Sequence, residues 1–218
     1  LPGENVGKLL EVKNWSGTTA PTVAFGQGYS LNAMQATSIF ATIANDGVRV
    51  SPTVIAGTSD SSGNFTPFKS EEGTRVVSAA TASKMRHMME SVVSAHGTAP
   101  SASIPGYRVA GKTGTAIRYD DLCGCYQGYT ASFIGFAPAD SPAYVINVTI
   151  QNPKGSYYGG SLGGPVFKKV MTFVLQSKKI SPSKTIFKPI ALDLNELNKK
   201  RQAEKALKIS ISQASNRG

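Results

Sequence analysis

The 218 residues contain no apolar run approaching the 18 or more that a membrane-spanning helix needs, and no basic start followed by a signal-peptide core. Nothing in the chain itself is therefore expected to anchor or export it. Histidine and cysteine are scarce, two of each. Cys123 and Cys125 sit in one turn, while His87 and His96 belong to another segment, so no metal site and no cofactor is expected. A C-x-C bridge closes a very small ring, and the pair reads equally as two thiols or as a labile disulfide. Acidic residues are few: 13 against 23 Lys and Arg, a formal charge of +10. No aromatic-interleaved basic patch accompanies that excess, so a solvated surface is the simpler reading and nucleic acid is not an expected partner. With 40% hydrophobic and 17% charged residues, wholly disordered, collagenous and coiled-coil chains are excluded.

What is present centres on residues 107–119, Y-R-V-A-G-K-T-G-T-A-I-R-Y. Period-2 alternation predicts a strand with Tyr107, Val109, Thr113, Thr115 and Ile117 on one face and Arg108, Lys112 and Arg118 on the other. A cation and two hydroxyls on opposite faces can serve one ligand only from a sheet edge, where both faces and the backbone between them are accessible. Gly114 would let a ligand backbone come close.

Gly106 to Thr113 also satisfies the phosphate-loop pattern G-x-x-x-x-G-K-[ST]. That loop needs a strand before its first glycine and a helix opening at the lysine. Here Ser101-Ala-Ser-Ile-Pro105 precedes and a β-like run follows, so the context is reversed and the nucleotide reading fails.

Lys112-Thr-Gly-Thr115 resembles the K-T-G motif of penicillin-binding transpeptidases. Phe25-Gly-Gln-Gly28, Gln35, Ala44-Asn45-Asp46-Gly47, Gly97-Thr98-Ala99, Ala110-Gly-Lys-Thr-Gly-Thr-Ala116 and Phe133-Ile-Gly-Phe-Ala-Pro138 extend the likeness, in order, to the class B members of that family. It covers about residues 1–177. Tyr29-Ser-Leu-Asn32 and Cys123-Gly-Cys125-Tyr126 look most like the cell-division transpeptidases of actinobacteria.

The resemblance implies an α+β fold, an antiparallel sheet packed by helices as in penicillin-binding proteins and β-lactamases, incomplete on its N-terminal side. It implies a parent serine-type D,D-transpeptidase, held at the extracytoplasmic face of the membrane by an upstream anchor. Peptidoglycan stem peptides, β-lactams and division proteins would be its partners. Lys112 would supply positive potential, Thr113, Gly114 and Thr115 would bind substrate, and the Thr115 amide would serve the oxyanion hole. In the family the motifs run S-x-x-K, S-x-N, K-T-G. Ser181-Pro-Ser-Lys184, Ser30-Leu-Asn32 and Ser62-Gly-Asn64 fit the first two patterns, but in a linker, a helix entry and a turn, and the first stands after the K-T-G motif. They read as decoys, no nucleophile is assigned, and the chain alone is expected to be inactive. A noncatalytic module binding wall peptide or division partners is the alternative, with a carboxypeptidase or β-lactamase a lesser one.

Along the rest of the chain, residues 1–23 read as an irregular loop. Asn32 and Gln35 form a capping box before a helix with Met34, Ile39, Phe40 and Ile43 on its apolar stripe, closed by Asn45-Asp46-Gly47. Residues 48–77 read as short strands around a polar turn at 57–63. Ser78 caps a second helix whose Met85, Met88, Met89, Val92 and Val93 read as core, stopped at Gly97. Strands at 107–119, 129–136 and 144–150 make a meander. Gly163-Gly164-Pro165 opens a last helix with Pro165 at its first position and Val166, Phe167, Val170, Phe173 and Val174 buried. A domain boundary is placed at 177/178, before a basic tail of 178–218 with a polar helical run at 192–207.

Overall fold

The computed structural model describes residues 3–69, 72–120 and 122–187. The chain divides into two units, 1–187 and 188–218. The second unit, and with it the polar helical run at 192–207, lies outside the described residues.

The first unit is built on a three-stranded antiparallel meander, β5 (Ala110–Asp120), β6 (Cys125–Ala137) and β7 (Tyr144–Gln151), in that spatial order. Before it come α1 (Thr19–Ala24), α2 (Ala33–Ala44), the two-residue strand β1 (Val48–Arg49), the hairpin strands β2 (Gly57–Ser59) and β3 (Phe65–Pro67), β4 (Thr74–Arg75) and α3 (Ala79–Glu90). After it comes α4 (Gly159–Ser177). This is the α+β architecture expected, with helices on both faces of the sheet.

Register assigns the faces. Ala110, Lys112 and Gly114 stand opposite Phe136, Ile134 and Ser132, whereas Gly111, Thr113 and Thr115 stand opposite Gly135, Phe133 and Ala131. The second set faces α4, where Val109, Phe133, Ala137, Phe167, Met171 and Leu175 make the larger core cluster. The first faces α2 and α3, with Met89, Ala110, Phe136 and Ala139 buried against Phe40 and Ile43. Each Val, Phe, Met or Leu side chain fully enclosed there contributes about 1.5–3 kcal/mol of transfer free energy, and each alanine less.

The capping box of α2 is present: the Asn32 side chain accepts from the Gln35 amide at 2.7 Å and Gln35 accepts from the Asn32 amide at 3.0 Å. Ser78 caps α3 in the same way, its Oγ accepting from the Thr81 amide at 3.1 Å. That helix ends at Glu90 in a single tight turn over Ser91–Val93, before Gly97. Met89 is buried, but Met85 and Met88 are exposed, so only one methionine of the stripe is core.

Four further sequence expectations are corrected. Residues 1–23 are not all loop: a tight turn at Val12–Asn14 and α1 interrupt them, the Thr22 hydroxyl donating back to the Thr18 carbonyl. Gly57–Ser59 is a strand and not part of a turn, because it pairs with Phe65–Pro67 across a narrower turn that the Asp60 carboxylate holds by accepting from the Ser62 and Asn64 amides. The central strand begins at Ala110, not Tyr107. Tyr107 closes a turn onto Ile104, and the Arg108 amide donates to Ser183 Oγ instead of a strand partner. Helix α4 opens at Gly159, so Pro165 is interior, and Val166, Val170 and Phe173 are exposed, Phe173 by 70%. Its buried line is Gly159, Gly160, Gly163, Gly164, Phe167, Met171 and Leu175. The four glycines allow this: a Cβ at Gly163 would stand 2.8 Å from the Phe133 Cβ, and one at Gly159 would overlap the carbonyl oxygens of Ser132 and Gly114. Close backbone contact outweighs the poor helix propensity of glycine.

Residues 178–187 fall within the first unit. The Tyr107 hydroxyl donates to the Ile180 carbonyl at 2.7 Å, the Ser183 amide to the Gly106 carbonyl at 3.0 Å, and Ser183 Oγ to Asp140 at 2.7 Å. Among the described residues no helix is long and apolar enough to cross a membrane.

Candidate active site

Strand β5 pairs with β6 and with no other strand among the described residues, so its second edge is open. Lys112 to Thr115 lie in mid-strand on that edge, where an extended ligand can add as a further strand. The alternation expected from the sequence holds there. Lys112 and Gly114 are on the face toward α2, and Thr113 and Thr115 on the face toward α4. Arg118 does not continue the pattern undisturbed, because the register with β6 shifts between Ile117 and Tyr119.

Lys112 is exposed, and its Nζ donates to the neighbouring Thr113 carbonyl at 2.9 Å. Among the described residues it forms no ion pair with a carboxylate. Its charge is thus available to an anion arriving at the edge. The Thr113 hydroxyl is 3.1 Å from that of Thr98, and Thr115 Oγ1 accepts from the Gly159 amide at 3.2 Å. Because one lone pair of Thr115 is engaged by that amide, its own O–H is free to donate outward. In the first turn of α4 the Gly159 amide is thus engaged by Thr115, and the Leu162 amide donates to the Tyr158 carbonyl at 3.1 Å.

Sequence reasoning found the four strand residues but gave Thr98, Gly159 and Gly160 no role in the site. Thr98 was visible only as part of a resemblance. The glycine pairs at 159–160 and 163–164, one helical turn apart, were the available signal for a helix backbone pressed against the sheet. A Cβ at Gly160 would overlap the Thr98 carbonyl oxygen and come within 3.2 Å of Thr113 Cγ2, so this glycine is what lets α4 reach the site.

None of the three serine patterns joins it. Ser30 pairs through its backbone with Lys8, Ser62 and Asn64 are held by Asp60, and Ser183 is bonded to Gly106, Arg108 and Asp140. Ser181 and Lys184 are exposed beyond α4. Cys123 and Cys125 form a disulfide at the β5–β6 turn, which closes the choice left open by the sequence in favour of the bridge.

Residues 1–172 match the family model described as penicillin binding protein transpeptidase domain. Penicillin-binding protein PbpB of Mycolicibacterium smegmatis is 39% identical over 202 residues, covering 88% of this chain and 31% of that protein. A probable peptidoglycan D,D-transpeptidase PenA of Neisseria gonorrhoeae is 33% identical over 193 residues, covering 85% of this chain and 30% of that protein. The crystal structure of penicillin binding protein 3 from Mycobacterium tuberculosis complexed with ampicillin superposes with a TM-score of 0.78 at 38% identity, covering 88% of this chain and 44% of that one. The chain thus spans about a third of the length of these curated relatives. With the family model matched over residues 1–172 and relatives of 38–39% identity covering 88% of its length, the chain belongs to the penicillin-binding protein transpeptidase domain family.

Proposed function

We propose that the chain forms the substrate-edge portion of a serine-type peptidoglycan D,D-transpeptidase that works in septal wall synthesis at the extracytoplasmic face of the membrane. The observation that carries the reading is the open edge of β5 with Lys112, Thr113, Gly114 and Thr115 upon it. A stem peptide ending in D-Ala-D-Ala adds along this edge. Its terminal carboxylate is met by the charge of Lys112 and the hydroxyls of Thr113 and Thr115, while Gly114 admits its backbone. A serine supplied from outside the present chain attacks the penultimate carbonyl, and the oxyanion that develops is stabilised by the Thr115 amide. The serine proton passes to the departing D-Ala amine, leaving an acyl-enzyme that the amine of a second stem peptide resolves. A β-lactam presents a carboxylate and a strained carbonyl to the same groups and stops at the acyl-enzyme. No cofactor takes part.

The test compares Lys112→Ala with Lys184→Ala in the full-length protein. Loss of a preorganised charge typically costs about 2–4 kcal/mol in the transition state, so β-lactam acylation should slow by about 30- to 1000-fold for Lys112→Ala. Lys184→Ala, which alters an exposed residue beyond α4, should leave the rate within about twofold, the scale of a neutral surface change. Equal loss in both variants would overturn the assignment.

A further inference from the structure

We propose that the disulfide at the β5–β6 turn is a redox-active pair and not a staple, and that the hairpin tip is a thiol–disulfide exchange site for a dithiol oxidoreductase, with Cys123 as the sulfur attacked. The inference goes beyond the transpeptidase reading and does not depend on it.

The bridge fastens very little. Asp120 stands opposite Cys125 and Tyr119 opposite Tyr126 in the strand ladder, so the hairpin is already closed where β6 begins. Cys123 lies inside the turn, and its bond to Cys125, the first residue of β6, does not link β6 to β5. The stability a disulfide adds grows with the length of chain it closes, and this one encloses Gly124 alone. Other contacts hold the turn. The Asp120 carboxylate accepts from the Leu122 amide at 2.9 Å and from Gln127 Nε2 at 3.1 Å, and the Tyr119 and Tyr126 rings meet edge-on with centroids 5.3 Å apart. Opening the bridge removes none of these.

The dithiol form has a partner waiting for it. Cys123 Sγ stands 3.6 Å from the Asp120 carbonyl oxygen. A disulfide sulfur carries no proton, so this contact becomes a hydrogen bond only after reduction, when the Cys123 S–H donates to an acceptor already in place. Gly124 between the two cysteines has φ +61°, a conformation open to glycine, so re-forming the bridge demands no strained side-chain-bearing residue. Both states therefore fit the same hairpin.

Access decides which sulfur reacts. Cys123 is exposed and Cys125 half-buried. Leu122 and Tyr126 flank the pair and are 99% and 73% exposed, which gives the molecule that brings the thiol an apolar surface to rest on. Exposed disulfides are the labile ones, open to exchange where buried structural bridges are not. In the first step a thiolate of the partner attacks Cys123 Sγ: a mixed disulfide forms, the Cys123–Cys125 bond breaks, and Cys125 leaves as a thiolate that takes up a proton. The partner's second thiol then loses its proton and attacks the partner's own sulfur in the mixed disulfide. Cys123 leaves as a thiolate and is protonated. Two electrons and two protons have passed from the partner's dithiol to the protein, and the partner is left as a disulfide.

The experiment equilibrates the full-length protein in glutathione mixtures from oxidised to reduced, quenches with acid, alkylates, and maps the Cys123–Cys125 peptide by mass spectrometry. The bridged fraction should fall from about 90% to about 10% across the series, whereas a structural disulfide resists the glutathione pool. A bridge still closed in the most reducing mixture overturns the proposal. Reduced thioredoxin whose resolving cysteine is replaced by serine should be captured on Cys123, with Cys125 found alkylated. Capture on Cys125, or no capture, overturns it as well. Cys123→Ser/Cys125→Ser should melt at the temperature of the unsubstituted protein, as expected of a surface change. A marked fall in melting temperature, or failure of the double variant to fold, would make the bridge a staple and sink the redox reading.

Discussion

Arg108 stands two residues before β5 and joins three parts of the fold. Its Nε and Nη2 donate to the two oxygens of Glu90 at 2.7 and 2.6 Å, and its Nη1 to Thr185 at 2.8 Å. The Glu90 side chain is only 3% exposed, and its hydrogen bonds hold the Arg108 guanidinium above its ordinary range. Removing one member of such a pair leaves a buried charge without its partner, at a cost of about 3–5 kcal/mol. Arg108→Ala is therefore expected to lower the melting temperature of the full-length protein markedly. Glu90→Leu/Arg108→Met, which removes both charges, should recover most of the loss. A double variant as unstable as the single one would show that packing and not charge is responsible. Alternation along the sequence placed Arg108 on a strand face, and nothing local announced its partner: Glu90 is 18 residues away and Thr185 is 77 away. The K-T-G residues were legible for the opposite reason, since their faces follow from strand period alone.

Among the elements, α2 and α4 show where local signals suffice. The start of α2 is written in two side chains, Asn32 and Gln35, whose reciprocal bonds require no distant contact. The start of α4 is written in contacts with other elements. Gly159-Gly160 and Gly163-Gly164 are poor helix formers, so propensity pointed to Pro165 as the first turn, whereas the sheet rewards a helix whose backbone can approach Ser132, Phe133 and Thr98. The error carried forward: starting the helix at Pro165 favoured Val166, Val170 and Phe173 as its buried face, while the observed line runs through Phe167, Met171 and Leu175. Gly160→Ala should push α4 away from Thr98 and disturb the Thr98–Thr113 contact. Expected effects in the full-length protein are about 1–3 kcal/mol of lost stability, read as a lower melting temperature, together with slower β-lactam acylation. Gly17→Ala, where nothing lies within 4 Å of the added carbon, should change neither. Normal acylation in Gly160→Ala would detach the first turn of α4 from the site.

At the scale of the whole chain, both core clusters and the open edge of β5 are in place among the described residues, but none of the three serine patterns is brought into the site, where Ser132 stands opposite Gly114 as a partner across the sheet. The described hydrogen bonds of Lys112, Thr113 and Thr115 go to Thr113, Thr98 and Gly159. Ser30 and Ser62 are held elsewhere, by Lys8 and Asp60, and Ser181 is exposed beyond α4. Preorganised charge and hydroxyls lower the barrier to an attack but do not perform one. The 218-residue chain incubated alone with a fluorescent penicillin should therefore form no covalent adduct, although the open edge of β5 is present. Intact-mass spectrometry checks this directly. A stoichiometric adduct on Ser181 would make the linker serine the nucleophile and contradict its placement beyond α4. The surface raises a parallel question: Phe25, Ile39 and Phe173 are 67%, 51% and 70% exposed, large apolar side chains open to a covering surface. The isolated chain is accordingly expected to associate in solution. A monodisperse monomer by light scattering would show that these side chains need no partner, and would separate the question of solubility from that of the missing nucleophile.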